Sequence, residues 1–319
     1  MTRIRKNFPL TAVAALTCIA AAALAATSEP PTPAEPPTLS QPLAAPCRAF
    51  YYAAEGAGGW ILRFGRDGKI DWSYPAPMAR DVQVLPNGNV LFPYNEGYDS
   101  KKHDNPSGVL EVTPDKKVVF RFVTTGQVFS AQRLADGNTL VGAASQGKVL
   151  VVGPRGEVVR EFRVKSKPGH SCMRHVRGLP NGHVLVAEEL DKAVREYDAA
   201  GRMVADWPVP FPPFTMVRLS DGQTLVCGKL NMVRLDAAGK TAWSLDAKDH
   251  PALGIRWFAG MQILSNGNVF VCNAGGKAGF IEFSPEGKVA WQSNTELIGL
   301  PMGHGVCVIE GEGGQRTAK

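Results

Sequence analysis

The feature that most constrains this chain is a pattern of twelve residues that occurs five times, beginning at Asp81, Ser130, His175, Thr215 and Gly260. Each copy has a run of strand-forming residues, an Asn-Gly or Asp-Gly pair, and a second such run. Because Gly, Asn and Asp adopt a positive φ at low cost, this pair favours the tight turn that joins two twisted antiparallel strands. Each copy therefore predicts a β-hairpin.

A second pattern lies between these hairpins and occurs six times. It has an alternating apolar strand, a turn, and another strand that usually ends in an aromatic residue. The turns are at Gly68, Lys116, Gly156, Gly201, Gly239 and Gly287. Four strands thus recur about every 45 residues, which is the period of one blade of a β-propeller. The aromatic residues recur at one structural position, so we expect them to pack between blades: Trp72, Phe120, Phe162, Trp207, Trp243 and Trp291.

One innermost strand is missing from this set, because the first pattern occurs five times and the second six. The segment from His304 to Gly311 matches an innermost strand, and Arg48 to Glu55 would supply its neighbour. Pairing of these segments would close the ring and remove the exposed sheet edges. The predicted fold is all-β: a six-bladed β-propeller of four-stranded blades, closed by pairing of the N- and C-terminal strands.

The first 46 residues have the composition of an export signal followed by a linker. A basic start, a short apolar run and Ala23-Leu24-Ala25 are typical of a cleavable signal peptide. Proline and small polar residues then dominate, which favours a disordered linker. We expect a signal peptide at 1–25, the linker at 26–46, the propeller at 47–312 and a disordered tail at 313–319. The mature protein would be periplasmic or extracellular, with no membrane span.

Charge and cysteine content limit the partners and the covalent links. The chain has 35 basic and 29 acidic residues, and no basic run is interleaved with aromatic residues, so nucleic acid is not an expected partner. Five cysteines follow the predicted signal peptide, which leaves at least one unpaired in a monomer. Cys47 and Cys307 lie beside the predicted ring closure and are the pair that a disulfide there would join.

The repeat resembles those of pyrroloquinoline-quinone-like bacterial propellers and of arylsulfotransferase-type propellers. The matching residues are the Asp-x-x-Gly-Lys-x-x-Trp run at Asp236–Trp243, its relatives at Gly68 and Gly287, and the Leu-Pro-Asn-Gly hairpins. Quinone-dependent dehydrogenases of this type usually carry a vicinal cysteine pair. This chain has none, so no quinone or other cofactor is expected. Arylsulfotransferases are similar in using channel histidines, and related propellers act as scaffolds in envelope assembly.

The repeat also predicts which face of the propeller carries function. The Asn-Gly and Asp-Gly turns should lie on one face, and the longer loops should crowd the channel mouth on the other. The predicted first positions of the innermost strands are Asp81, Ser130, His175, Thr215, Gly260 and His304, and the positions before them are Arg80, Phe129, Arg174, Phe214, Ala259 and Gly303. These positions vary where the rest of the repeat is uniform, which indicates a binding site.

Candidate catalytic residues are His175 and His304, whose side chains titrate near neutral pH. Candidate ligand-binding residues on the same face are Arg80, Asp81, Tyr94, Arg174, Glu188, Glu189 and Trp257. A guanidinium fork matches carboxylate, sulfate or phosphate, so the arginines would clamp an anionic group. In the structural alternative, Asp81 pairs with an arginine and the histidines bind channel water. The histidine spacing matches no metal motif, so no metal site is predicted.

Two classes of function remain open. In the first, an exported propeller binds an anionic small molecule, a glycan or a protein partner at its channel mouth, without a catalytic pair at bonding distance. In the second, an arylsulfotransferase-like transferase, a lyase or a hydrolase uses channel histidines there, and His175, His304, Arg80 and Arg174 converge on one point. Binding is favoured, because no catalytic motif stands above a structural explanation.

Overall fold

The computed structural model describes residues 35–55, 58–97, 104–294, 300 and 302–310. Within them, 24 strands account for nearly all of the regular structure. The strands are β1 (Phe50–Ala54), β2 (Trp60–Phe64), β3 (Ile70–Pro75), β4 (Gln83–Val84), β5 (Val90–Asn95), β6 (Pro106–Val112), β7 (Val118–Thr125), β8 (Val128–Arg133), β9 (Thr139–Ala143), β10 (Lys148–Val152), β11 (Val158–Arg163), β12 (His175–Gly178), β13 (Val184–Glu188), β14 (Ala193–Tyr197), β15 (Met203–Pro208), β16 (Thr215–Arg218), β17 (Thr224–Cys227), β18 (Asn231–Leu235), β19 (Thr241–Asp246), β20 (Phe258–Ile263), β21 (Val269–Asn273), β22 (Phe280–Phe283), β23 (Val289–Gln292) and β24 (Gly303–Val308). Three 3-10 helices complete the set, at Ala144–Gln146, Ala247–Asp249 and Pro251–Leu253.

The strands form six four-stranded antiparallel sheets, which are the six predicted blades. Blade 1 has the order β24-β1-β2-β3, and blades 2 to 6 each contain four consecutive strands, from β4–β7 to β20–β23. In blade 1 the C-terminal strand pairs antiparallel with the N-terminal one, with Phe50 opposite Val308. The predicted ring closure is therefore confirmed.

Apolar side chains fill the spaces between neighbouring blades. Phe50 of blade 1 lies 5.0 Å from the Phe270 ring and 4.6 Å from the Phe280 ring of blade 6. The recurring aromatic residues also pack between blades, as predicted. A Cβ atom added at the turn glycine Gly201 would lie 2.3 Å from Phe162 of the preceding blade, and one at Gly239 would lie 2.0 Å from Trp207. The turn glycines thus leave room for the neighbouring aromatic ring.

The end of the predicted linker lies against blade 1. Leu43 is only 3% exposed, and its N–H donates to the carbonyl of Gly68 at 3.0 Å. Packing against the propeller therefore begins before residue 47. The predicted signal peptide and the predicted C-terminal tail lie outside the described residues. In the part of the chain that the structure describes, no helix is long and apolar enough to span a membrane.

The five cysteines of the described segments are all free thiols: Cys47, Cys172, Cys227, Cys272 and Cys307. The disulfide considered between Cys47 and Cys307 is therefore not present. Cys47 instead donates its S–H to the carbonyl of Gly65 at 3.1 Å.

Candidate functional site

The two ends of each innermost strand differ in what surrounds them. In blade 4, His175 lies opposite Ala187 at one end of the hairpin, and the turn glycine Gly182 lies at the other. The same arrangement recurs around the ring, so the Asn-Gly and Asp-Gly turns lie on the face opposite His175 and His304. The loops between blades surround the channel mouth, as predicted.

The register of β24 differs from the predicted one by a single residue. Gly178 of β12 faces Val184, the first residue of β13, and Val308 of β24 faces Phe50, the first residue of β1. Counting three residues back from each gives His175 and Gly305 as equivalent positions. His304 therefore corresponds to Arg174, not to His175 as the sequence spacing suggested.

A β-bulge lies next to this position in β24. Gly303 faces Ala54 and Gly305 faces Ala53, so His304 is the extra, unpaired residue. Phe129 and Ala259 occupy the same bulged position in blades 3 and 6. The outer layer of the channel mouth is therefore formed by Arg80, Phe129, Arg174, Phe214, Ala259 and His304, and the layer below it by Asp81, Ser130, His175, Thr215, Gly260 and Gly305.

Five charged or titratable side chains of the outer layer and its loops meet at the mouth, and we call them the mouth cluster: Glu55, Arg80, Arg174, Glu189 and His304. Glu55 accepts a hydrogen bond from Arg80 through one oxygen and contacts His304 Nε2 through the other. Glu189 accepts a hydrogen bond from Arg174 Nε. The side chains are between 6% and 14% exposed, so these pairs are largely removed from water.

Both arginines of the mouth cluster pack against one aromatic ring. The Arg80 guanidinium carbon lies 4.4 Å from the centre of the Phe129 ring, and that of Arg174 lies 5.0 Å from it. Phe214 contacts Arg174 from the next blade, at 5.5 Å. These distances are within cation–π range, so the aromatic rings hold the two cations close to each other.

The electrostatics of the mouth cluster set its protonation. Burial alone would raise the pKa of Glu55, but His304 and Arg80 outweigh it and hold the pKa at about 2. Burial lowers the pKa of His304 below 6.5, and the charges of Arg80 and Arg174 act in the same direction against the effect of Glu55. At neutral pH Glu55 is therefore ionised and the His304 imidazole is neutral.

Some donors at the mouth have no partner. Arg174 Nη1 and Trp257 Nε1 are buried and make no hydrogen bond to any described residue. The Trp257 ring meets His304 edge-on at 4.8 Å and Phe214 at 4.7 Å. A buried donor without a partner costs free energy, so these two atoms favour an acceptor at the mouth.

The layer below the mouth joins neighbouring blades. Asp81 binds Arg177 through two hydrogen bonds of 2.8 Å and accepts a third from the Ser130 hydroxyl. The side chains of Asp81, Ser130 and His175 each accept a backbone N–H from the next innermost strand, at Ala131, Val176 and Met216. This layer therefore binds the blades to one another.

His175 belongs to this lower layer and not to the mouth cluster. Burial and the charge of Arg177 lower its pKa to about 3, so the imidazole is neutral. Among the described residues, no hydrogen bond or ion pair connects it with His304. The expected convergence of His175, His304, Arg80 and Arg174 is thus found for the last three residues only. Asp81 does pair with an arginine, as the structural alternative expected, and that arginine is Arg177.

Two other candidates are buried within the scaffold. Glu188 is fully buried and accepts hydrogen bonds from the Tyr197 hydroxyl at 2.5 Å, from Ser166 N at 2.7 Å and from Arg195 at 2.7 Å. Tyr94 is 7% exposed and packs in the apolar layer between blades 1 and 2. The loop between β5 and β6 includes residues 98–103, which lie outside the described residues.

Glu55 was not predicted from the sequence, and Phe129 and Phe214 were not among the candidate site residues. Glu55 directly follows β1, as Glu189 follows Glu188 at the end of β13. Aligning Phe50–Glu55 with Val184–Glu189 would have revealed the match. That alignment requires the pairing of β24 with β1, and these two strands are separated by almost the whole chain.

Comparison with known proteins supports the fold. No family model and no curated protein matches the chain. A protein of unknown function from Bacteroides caccae is 24% identical, with a TM-score of 0.71, over 85% of this chain and 100% of that one. The chain is a six-bladed β-propeller. The specific resemblance to quinone-like or arylsulfotransferase-like propellers is not confirmed.

Two further structures are similar at lower identity. A catalytically inactive virginiamycin B lyase from Staphylococcus aureus, solved with quinupristin, is 11% identical with a TM-score of 0.56, over 82% of this chain and 90% of that one. A putative 6-phosphogluconolactonase from Bacteroides uniformis is 13% identical with a TM-score of 0.56, over 80% and 84%. At these identities the likeness is one of fold.

Proposed function

We propose that the channel mouth binds a small molecule through an anionic group. The observation that carries this proposal is the pair of arginines on one Phe129 ring, in which Arg174 keeps a buried terminal nitrogen that has no partner among the described residues. Among the arginines of the described segments, the other buried unpaired atoms are Nε atoms. A terminal guanidinium nitrogen is the donor that a carboxylate, sulfate or phosphate engages in a forked pair.

An arginine of similar environment elsewhere provides the contrast. The Arg133 guanidinium lies 4.6 Å from the Phe120 ring and pairs with Glu111 at 2.6 Å. It also donates from its second terminal nitrogen to the carbonyl of Gly137, beside a hairpin turn on the opposite face. Both terminal nitrogens are used, as expected of an arginine that only supports the scaffold.

The test is calorimetric titration of the mature protein with sulfate, phosphate, acetate and cyclohexylacetate. In Arg174→Lys the charge beside Glu189 is kept and the fork is lost, so affinity for the bound anion should fall about tenfold or more. The matched control is Arg133→Lys, which should bind as the unmodified protein does. Equal affinities in all three proteins, or equal losses in both variants, would contradict the proposal.

A second candidate function is acid–base catalysis at the same mouth. The observation that favours it is the contact of Glu55 with His304 Nε2, which leaves Nδ1 to exchange a proton with a ligand. The binding hypothesis predicted no such pair of titratable side chains within bonding distance. The solved virginiamycin B lyase also shows that a propeller of this kind carries lyase chemistry in another protein. If catalysis occurs here, His304→Asn should abolish turnover while anion binding persists.

Export is also part of the proposal, because residues 1–25 have the arrangement of a cleavable signal peptide. Mass spectrometry of the protein from a periplasmic or secreted fraction should find an N-terminus near Ala26. Protein found only in the cytoplasmic fraction, with Met1 intact, would contradict it.

A further inference from the structure

The outer layer of the mouth has one small residue. Ala259 of blade 6 stands between Phe214 of blade 5 and His304 of blade 1. Trp257, two residues earlier, covers this position and meets the rings of both neighbours, at 4.7 Å and 4.8 Å. Its side chain remains partly exposed. An aromatic surface therefore occupies the part of the mouth where the ring of large side chains is interrupted.

Exposed apolar side chains lie on either side of Trp257. The N–H of Phe258 donates to Lys229 at 3.0 Å, which places the loop with Leu230 on one side. On the other side, Ala274 N donates to the Trp257 carbonyl at 2.8 Å, and a Cβ atom at Gly275 would lie 3.8 Å from Met302 Sδ.

Leu230 and Met302 are 43% and 44% exposed. Together with Phe214 and Trp257 they form what we call the apolar sector. A contiguous apolar patch rimmed by polar residues marks a ligand or partner site, which single exposed apolar residues do not.

The mouth thus has an apolar part and a charged part on different blades. The apolar sector belongs to blades 5, 6 and 1, and the arginines and their glutamates come from blades 1, 2 and 4. Relying on the anion site proposed above, we infer that the ligand is an amphiphilic anion. Its acidic group would meet Arg174, and an aromatic or alicyclic body would lie on Trp257 between Leu230 and Met302.

Three probes separate the parts of this inference: acetate, cyclohexylacetate and 2-cyclohexylethanol. The first two share a carboxylate, and the last two share an apolar body. Burial of the ring on the apolar sector should make cyclohexylacetate bind at least about tenfold more tightly than acetate. The uncharged alcohol should bind at least about tenfold more weakly than cyclohexylacetate.

Variants locate the effect on the mouth. Leu230→Ser and Met302→Ser change exposed side chains, so both proteins should fold normally and lose most of the gain of cyclohexylacetate over acetate. The matched control is Val204→Ser, because Val204 is 51% exposed on the outer strand β15. Trp257→Ala should remove the gain entirely, and thermal unfolding establishes whether that variant is folded.

Each result decides between the two proposals. Equal affinity for acetate and cyclohexylacetate overturns the amphiphile inference and leaves the anion site standing. Equal affinity for the acid and the alcohol overturns the anion site, and the inference with it. Absence of binding by all three probes overturns the amphiphile inference, and it overturns the anion site as well when sulfate and phosphate also fail to bind. A gain that survives in the Leu230 and Met302 variants overturns the position assigned to the apolar body.

Discussion

Binding of an anion at the mouth should be coupled to uptake of a proton by His304. In the free protein, burial and the charges of Arg80 and Arg174 hold the pKa of His304 below 6.5. Glu55 contacts Nε2, so the added proton would reside on Nδ1 and would face the ligand. A ligand anion opposes the two arginines and therefore raises the pKa of this imidazole.

The size of the effect follows from Coulomb's law. At a separation of about 5 Å and an effective dielectric constant of about 20, one negative charge stabilises the imidazolium by roughly 3 kcal/mol, or about two pKa units. Because the pKa is higher in the complex, binding is favoured at low pH. Between the free and bound pKa values, affinity should fall about tenfold for each unit of increasing pH.

Titration calorimetry with cyclohexylacetate in buffers of different ionisation enthalpy counts the protons directly, over roughly pH 5 to 8 where an imidazole titrates. Uptake should approach one proton per ligand between the two pKa values and vanish in His304→Asn. The control is His175→Gln, because the pKa of His175 is about 3 and its ring stays neutral with or without ligand. Binding without proton uptake, or uptake that persists in His304→Asn, would refute this electrostatic account.

Two further predictions concern the scaffold. Glu188→Ala removes a fully buried carboxylate that accepts hydrogen bonds from three donors, including Arg195. It should lower the free energy of unfolding by about 3 kcal/mol. Urea denaturation measures this, and a change under about 1 kcal/mol would show that the network contributes little. In Gly305→Ala the added methyl would lie 2.9 Å from Asp81 Cα, so a loss of about 1–3 kcal/mol is expected. Gly58→Ala, which meets no atom within 4 Å, is the control, and equal stability of the two variants would contradict the steric argument.

The fold could be predicted because its determinants are local. Each Asn-Gly or Asp-Gly pair specifies a turn within four residues, and the period of these turns specifies the blade. Gly88, Gly137 and Gly182 adopt the positive φ that the prediction required, at 84°, 86° and 81°. The ring closure followed from counting, because a missing strand had to come from the remaining segments.

The site could be predicted only in part, because the register of the closing strand β24 decides which layer its side chains join. The structure places Arg80, Arg174 and Glu189, three of the candidates predicted from the sequence, beside the mouth. His304 was assigned to the layer of His175, since β24 and β1 are not joined by a hairpin turn from which their register could be counted. Glu55 was missed for a related reason: its equivalence to Glu189 exists only after β24 has paired with β1.

The polar side chains of the lower layer show why polarity in a propeller channel is weak evidence for function. Asp81, Ser130 and His175 differ in chemistry, yet each accepts a backbone N–H from the next innermost strand. One structural requirement thus accounts for three dissimilar residues, and it leaves none of them needing a ligand. The outer layer has no such common role: its Arg80 and Arg174 share a ring, and its His304 contacts a glutamate from another strand. Recognition by this protein should therefore depend on the outermost layer of the channel, and substitutions one residue further along the same strands should alter stability instead.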